Sequence, residues 1–232
     1  MKEEDNEESK DLIQSGIDIA KDIFQIEPFR KFFQKLAGPA VEELGQFFAD
    51  HVRSFRIKAQ IKIITKAKKL LEEAKIEPST VSLKTLIPIL ENGSLEEEES
   101  MVDRWAALLA SAASPDGNKI VHPSYPEILK QLSPLDAKIL DAIYDHVIFT
   151  PIPKEEWLSR GASGNTIKEV FTLSDREYEL VIDSLYRLRL LAPPSTDLSF
   201  VDTPHNFQLN TKFIICITEL GFSFVASCQP HH

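Results

Sequence analysis

The sequence contains few cysteines and no long apolar run. Its 232 residues include two cysteines, Cys216 and Cys228, whose number and spacing do not indicate a disulfide framework. No stretch approaches the roughly 18 consecutive apolar residues of a membrane-spanning helix. The first residues are acidic and lack the basic and apolar regions of a signal peptide. We therefore expect a cytoplasmic protein without a transmembrane helix, because the cytoplasm keeps thiols reduced.

Motifs of catalysis are also missing. The eight glycines form neither G-x-G-x-x-G nor G-x-x-x-x-G-K, and no G-x-S-x-G or H-E-x-x-H segment occurs. Residues 159–165 come nearest to an active-site loop, but their composition is typical of a linker. Cys228, His231 and His232 lie in a terminal tail, whereas the four ligands of a structural zinc site usually come from two rigid elements. Whether the two histidines are native is left open. We predict no enzyme activity, no cofactor and no metal site.

The charge is negative overall but basic in one segment. A net charge of −10 disfavours nucleic acid as a partner of the whole protein. Residues 53–69 nevertheless contain seven basic side chains and no acidic one, on a single predicted helix. Six of them form what we call the basic ridge, the candidate site for an anionic partner: Arg53, Arg56, Lys58, Lys62, Lys66 and Lys69. The alternative, which we favour, is that the ridge pairs with the protein's own acids, including Glu96–Glu99.

Phenylalanine is concentrated near the N-terminus. Seven of the fourteen phenylalanines fall between Phe24 and Phe55. Together with the basic ridge they would form an amphipathic surface that lies on a membrane. The alternative is an ordinary helical core with a solvated basic face, which we favour because most amphipathic helices bury their apolar side internally.

A pair of helices between residues 86 and 113 is the best-defined part of the sequence. Asn92 and Gly93 predict a left-handed end to the first helix. Ser94 and Glu97 predict a capping box at the start of the second. The glutamates at 96–99 suit a helix N-terminus, and they cannot converge on one site because consecutive helical residues point in different directions. We expect a buried cluster of Leu86, Leu90, Trp105, Leu108 and Leu109.

The C-terminal part has the element order of a winged helix. Ser133 before Pro134, Ser174 with Glu177, and Thr218 are predicted helix caps. A long helix is predicted over 175–191, followed by a hairpin with strands at 207–209 and 213–217. Four acids at the start of that helix (Asp175, Glu177, Glu179 and Asp183) disfavour binding of its N-terminal part to the major groove.

The predicted fold is mainly α. We expect a disordered acidic tail over residues 1–11 and a helical domain over residues 12–125. A winged-helix-like domain with a small β-hairpin wing follows over residues 126–232.

Spaced motifs across most of the chain resemble one known family. P-I-L-E-N-x-S-L-E-E-E begins at Pro88, W-A-x-L-L-A-x-A-A at Trp105, and H-P-S-Y-x-x-I-L-x-x-L-S-P-L-D-A-x-I-L at His122. Upstream lie Gly38-Pro39, Glu42-Glu43, Gly45, Asp50-His51-Val52-Arg53 and Arg56. In this order, from about Gly38 to about Cys228, they resemble the abortive infection alpha family of bacterial proteins.

The resemblance implies bacteriophage defence and supplies no catalytic residues. We expect a non-enzymatic cytoplasmic protein that acts through an unknown protein partner, with a phage-derived one among the candidates, or through an anionic partner. Two alternatives stay open: a winged-helix DNA-binding regulator, and a membrane-disrupting effector that uses the Phe-rich basic N-terminal helices. A homo-oligomer and a peripheral membrane contact are also left open. If the ridge acts, reversing Lys58, Lys62 and Lys66 to Glu should abolish defence without lowering the melting temperature.

Overall fold

The described part of the chain folds as helices with one small sheet. The computed structural model describes residues 27–40, 54–117, 121–149, 162–193 and 214–229. These residues form nine α-helices, one short 3-10 helix and a three-stranded antiparallel sheet, which confirms a mainly α protein. The chain divides into two compact units: Met1–Gln131 with Ser227–His232, and Leu132–Ala226. The predicted tail of residues 1–11 lies outside the described residues.

The described part of the first unit contains five helices. They are α1 (Glu27–Ala37), α2 (Ser54–Glu73), α3 (Leu83–Gly93), α4 (Glu99–Ala113) and α5 (Tyr125–Leu129), with a 3-10 turn at Gly38–Ala40. Helix α1 begins around Pro28, which suits a first turn because that turn needs no backbone donor. It ends where Gly38 adopts a φ of 53°, the left-handed stop that the Gly38-Pro39 pair predicts.

The core of the first unit is built on α2, α3 and α4. Among the described elements, α2 and α4 make the most extensive contact. The predicted cluster is confirmed as buried: Leu86, Leu90, Trp105, Leu108 and Leu109 are each at most 1% exposed. An apolar stripe at helical spacing on each helix therefore becomes the shared core.

The junction between α3 and α4 corrects the predicted capping. Gly93 does not have a positive φ, and Ser94 stays in a right-handed helical conformation as the C-cap of α3. Its hydroxyl donates to the Glu91 carbonyl at 2.7 Å, so the predicted Ser94–Glu97 capping box is wrong. The carboxylate of Glu96 instead accepts bonds from the backbone N–H groups of Glu97 and Glu98, each at 3.2 Å. Helix α4 consequently starts only at Glu99.

The second unit alternates short strands with helices. Its elements are α6 (Pro134–Phe149), β1 (Ala162–Ser163), α7 (Gly164–Val170), α8 (Asp175–Arg187), β2 (Leu191–Ala192), β3 (Ile214–Ile217) and α9 (Glu219–Ser227), whose last residue is assigned to the first unit. The predicted caps are confirmed. Ser133 and Asp136 exchange backbone-to-side-chain bonds, Ser174 and Glu177 form a capping box, and Thr218 accepts from the Gly221 N–H.

The sheet has the order β1-β3-β2, with both pairings antiparallel. The predicted strand at 213–217 is confirmed over Ile214–Ile217, and its described partners are β1 and β2. The other predicted hairpin strand, residues 207–209, lies outside the described residues. Ala162 pairs with Ile215, and Leu191 pairs with Ile217.

Helix α8 is shorter than predicted. It ends at Arg187 rather than at Leu191, because Arg189 adopts a φ of 61° and reverses the chain. The Leu190 N–H then donates to the Leu185 carbonyl at 3.0 Å, a bond typical of helix ends. Leu191 is thereby free to enter β2.

Both cysteines are buried thiols, Cys216 within β3 and Cys228 just after α9. Within the described ranges, no helix combines the length and the apolar character needed to cross a membrane.

Candidate functional site

The basic ridge lies along α2. Arg53 lies outside the described residues, Arg56 is half-buried, and Lys58 is exposed near the start of the helix. Lys62 and Lys66 follow one and two turns later. Lys69 lies near the end of the helix, with 74% of its side chain exposed.

Two lysines of the ridge form an ion-pair cluster with α4. Lys62 donates to the carboxylate of Glu99, and Lys66 donates to both Glu99 and Asp103. Each helix supplies its pair at i and i+4 spacing, so the four side chains face one another across the helix contact. We call Lys62, Lys66, Glu99 and Asp103 the interhelical cluster.

The ammonium and carboxylate groups of this cluster stabilise one another in their charged forms. Hydrogen bonds from Lys62 and then Lys66 lower the pKa of Glu99 from 4.5 to about 2. Burial opposes the charge of Lys66, but the hydrogen bonds to Asp103 and Glu99 outweigh it and raise the pKa of that ammonium. Glu99 and Lys66 are therefore charged at neutral pH, and both lysines of the cluster already have anionic partners.

The rest of the ridge is only partly neutralised. Lys69 lies 3.6 Å from Glu73, an exposed i and i+4 pair that contributes only about 0–1 kcal/mol. Arg56 and Lys58 have no carboxylate partner within the part of the chain that the structure describes. Among the described residues of the ridge, open positive charge is thus confined to the N-terminal end of α2.

A second candidate surface is the solvent-facing side of α8. Val181, Ile182 and Leu185 are buried beneath it. The exposed side carries the acids Asp175, Glu177, Glu179 and Asp183 together with one basic residue, Arg176. Leu180 lies among them with 62% of its surface exposed. The helix therefore presents an acidic face with an apolar residue inside it, which we call the α8 face.

The acids at the start of α8 are held in their ionised form. The hydrogen bond from the Lys168 ammonium lowers the pKa of Asp175. Bonds from the hydroxyl and the backbone N–H of Ser174 lower the pKa of Glu177. The carboxylates of Asp175 and Glu177 are consequently ionised at neutral pH, and the Lys168 ammonium offsets the charge of Asp175.

Close packing fixes the position of α8 against α7. A Cβ atom at Gly164 would lie 2.1 Å from the Tyr178 hydroxyl, so a larger residue there would force the Tyr178 side chain to move. The Lys168 ammonium lies 5.8 Å from the centre of the Tyr178 ring, within reach of a cation–π interaction. The α8 face is therefore presented on a firmly packed element.

The comparison with protein families now has a structural frame. A family model described as abortive infection alpha matches residues 58–228, most of the chain. The chain belongs to the abortive infection alpha family. The match includes Lys58, the interhelical cluster and the α8 face, whereas the quoted motifs from Gly38 to Arg56 lie before it. No curated protein and no solved structure matches the chain.

For this member of the abortive infection alpha family, the sequence anticipated the ridge and one of its two acidic partners on α4. Glu99 belongs to the four glutamates named as candidate partners, but Asp103 was missed, although its position one turn after Glu99 could have revealed it. Leu180 was also missed, because one apolar residue on a polar helix face has no distinctive pattern. Among the described residues, no three His, Cys, Asp or Glu side chains are grouped to hold a metal ion.

Proposed function

We propose that this abortive infection alpha protein is a non-enzymatic bacterial phage-defence protein that acts in the cytoplasm by binding a protein partner, with a phage-derived protein among the candidates. The α8 face is the observation that supports a protein as the kind of partner. An exposed leucine on a helix face that carries four acids suits a protein surface with an apolar pocket and a basic rim. Defence itself is supported by the family match.

The second unit is proposed to be a winged helix. Its order of helix, strand, helix, helix, strand and strand, with β3 in the centre of the sheet, supports this assignment. In DNA-binding members of this architecture, the helix equivalent to α8 enters the major groove. Here Asp175, Glu177 and Glu179 would meet phosphates, so we favour a winged helix that binds protein.

Two further parts of the proposal rest on different observations. The non-enzymatic role is supported by the sequence, which lacks the phosphate-binding and nucleophile motifs. The membrane-disrupting alternative is weakened because the rings of Phe32 and Phe33 are only 6% and 3% exposed. Two of the phenylalanines that such an effector would insert into lipid are thus already packed in the first unit.

A plaque assay with matched leucine variants tests the proposal. Leu180→Glu places another acid on the α8 face, and Leu95→Glu changes a leucine of similar exposure, 58%, in the first unit. Cells that produce the wild-type protein or Leu95→Glu should resist phage, whereas cells that produce Leu180→Glu should be as sensitive as cells without the protein. Both variants should keep the wild-type melting temperature, because both side chains are exposed.

Two results would contradict the proposal. Full protection by Leu180→Glu would remove the α8 face from the mechanism. A wild-type protein that gives no protection at normal expression would remove the defence role itself.

We also propose a second contact, in which the N-terminal end of the basic ridge binds an anionic partner. Reversal of Lys62 or Lys66 would place a carboxylate against Glu99, so the triple reversal would disturb the core contact between α2 and α4. Lys58→Glu is the cleaner variant, because Lys58 is exposed and has no partner in the described ranges. Lys84→Glu, on the exposed side of α3, is its matched control.

A further inference from the structure

The first unit contains an open cleft of about 520 Å³ that is separate from both candidate surfaces. It lies between α1, the end of α2 and the segment that follows α2. Its size falls within the roughly 300–1,000 Å³ of small-molecule sites. A cleft of this size at the meeting point of three segments can hold a ligand of about nucleotide size.

The base of the cleft is apolar and fixed in place. Phe32 and Leu71 are buried in it, and Ile76 and Pro78 are half-buried at its side. The connecting segment is tied to α1 nearby, since the Val81 N–H donates to the Leu36 carbonyl at 3.0 Å. The cleft is therefore largely preformed, so binding costs little ordering of the protein.

Four lysines surround this apolar base: Lys31, Lys35, Lys68 and Lys75. Three of them have carboxylate partners, which are Glu27 at 2.7 Å, Glu77 at 2.9 Å and Glu72 at 2.5 Å, respectively. The carboxylates in these pairs are each more than 60% exposed, and such pairs contribute little to stability. A multiply charged anion can therefore compete for the ammonium groups.

Lys75 is the fourth lysine and differs from the others. No acidic partner for it occurs in the described ranges, and it adopts a φ of 56° at the end of α2. The Ile76 N–H closes the helix by donating to the Leu71 carbonyl at 2.9 Å. Glycine is the residue that normally occupies this left-handed position. Lys75 therefore places an ammonium without a described acidic partner at the rim of the cleft.

The geometry points to a binding site for a small organic phosphate of about nucleotide size. Its dianionic phosphate would contact Lys35, Lys68 and Lys75, and its apolar or aromatic body would lie against Ile76 and Pro78. The four lysines face three carboxylates at ion-pair distance, from Glu27, Glu72 and Glu77, so the cleft keeps a net positive charge inside an acidic protein. Phosphate alone would leave the apolar wall uncovered and should bind more weakly.

Calorimetric titration of the full chain tests the site with three soluble probes: AMP, inorganic phosphate and adenosine. AMP should bind, phosphate should bind more weakly, and adenosine should not bind. Because a lipid headgroup offers the same chemistry, phosphatidic-acid vesicles form a fourth arm. Binding to vesicles without binding to AMP assigns the site to lipid phosphate. If neither AMP nor vesicles bind, the inference is wrong.

Two variants separate binding from folding. Lys75→Gly removes the ammonium and relieves the left-handed strain, so its melting temperature should equal or exceed that of the wild type. Its affinity for AMP should fall about tenfold, the value for one lost charge-assisted hydrogen bond. Lys84→Ala, an exposed lysine outside the cleft, should bind as the wild type does. Equal affinity of Lys75→Gly and wild type would overturn the inference, as would an equal loss in Lys84→Ala.

Discussion

At the scale of single residues, Gly93 determines how closely three helices approach. It ends α3 and is buried against α2 and α4. A Cβ atom there would lie 2.7 Å from Ile63 Cδ1 and 3.1 Å from Trp105 Cγ. The Asn-Gly pair predicted a glycine with a left-handed backbone conformation. The structure shows instead that glycine is required here by the close packing of the three helices.

Gly93→Ala should lower the free energy of unfolding by about 1–2 kcal/mol. Overpacking costs roughly 1–3 kcal/mol, and the gain in helix propensity, about 1 kcal/mol inside a helix, is smaller at a helix end. Ile63→Val deletes the Cδ1 atom that causes the closest contact. In urea denaturation, the double variant should therefore lose less free energy of unfolding than the two single variants lose together. Strict additivity would show that the clash does not control the site.

At the scale of elements, the sequence predicts interactions between residues that are close together in the chain. The caps at Ser133, Ser174 and Thr218 each lie within three residues of the group they satisfy, so the pattern contains the whole interaction. The capping box predicted at Ser94 does not form because the Ser94 N–H donates to the Leu90 carbonyl and the Glu97 N–H donates to the carboxylate of Glu96. The end of α8 was predicted wrongly because Arg189 adopts the left-handed conformation, and the sequence offers no glycine or asparagine there to signal it.

Pairing between distant segments is what the sequence does not predict. The strand at Ile214–Ile217 could be recognised, but its partners Ala162–Ser163 and Leu191–Ala192 are two residues each and have no strand pattern. The contact of Lys66 with Asp103 likewise depends on the rotation of α2 against α4. Both are set by the packing of buried faces, which composition and spacing leave undetermined.

The interhelical cluster should make stability depend on pH. The pKa of Glu99 is lowered to about 2 from 4.5, so its contribution is present above about 4.5 and is lost as the pH falls towards 2. The melting temperature of Glu99→Gln should therefore lie below that of the wild type at pH 7, and the gap should close over this interval. Glu97→Gln, an exposed glutamate outside any described ion pair, should show no such gap. A gap that persists at pH 2 would contradict the assignment.

At the scale of the whole molecule, opposite charges are separated along the chain. The protein carries −10 overall, yet α2 contributes Arg56, Lys58, Lys62 and three further lysines before its first acid. The interhelical cluster neutralises the middle of this helix. A sequence count therefore overstates the charge that the ridge offers to a partner, because the count does not include the acids that folding brings to it.

Duplex DNA should not bind the full chain at physiological ionic strength. Few phosphates can be neutralised by the open charges at Arg56 and Lys58, and the acidic remainder repels the duplex. In fluorescence anisotropy, any binding at low salt should disappear in Lys58→Glu and persist in Lys84→Glu. Tight binding at physiological salt would favour the DNA-binding regulator over the protein-binding proposal.

The positions of the two thiols have a consequence for measuring local opening. Cys216 belongs to the second unit and Cys228 to the first, and their side chains are only 2% and 3% exposed. A thiol reagent can reach each sulfur only when the surrounding structure opens. Labelling rates followed by mass spectrometry thus report the opening of each unit separately, without any engineered probe.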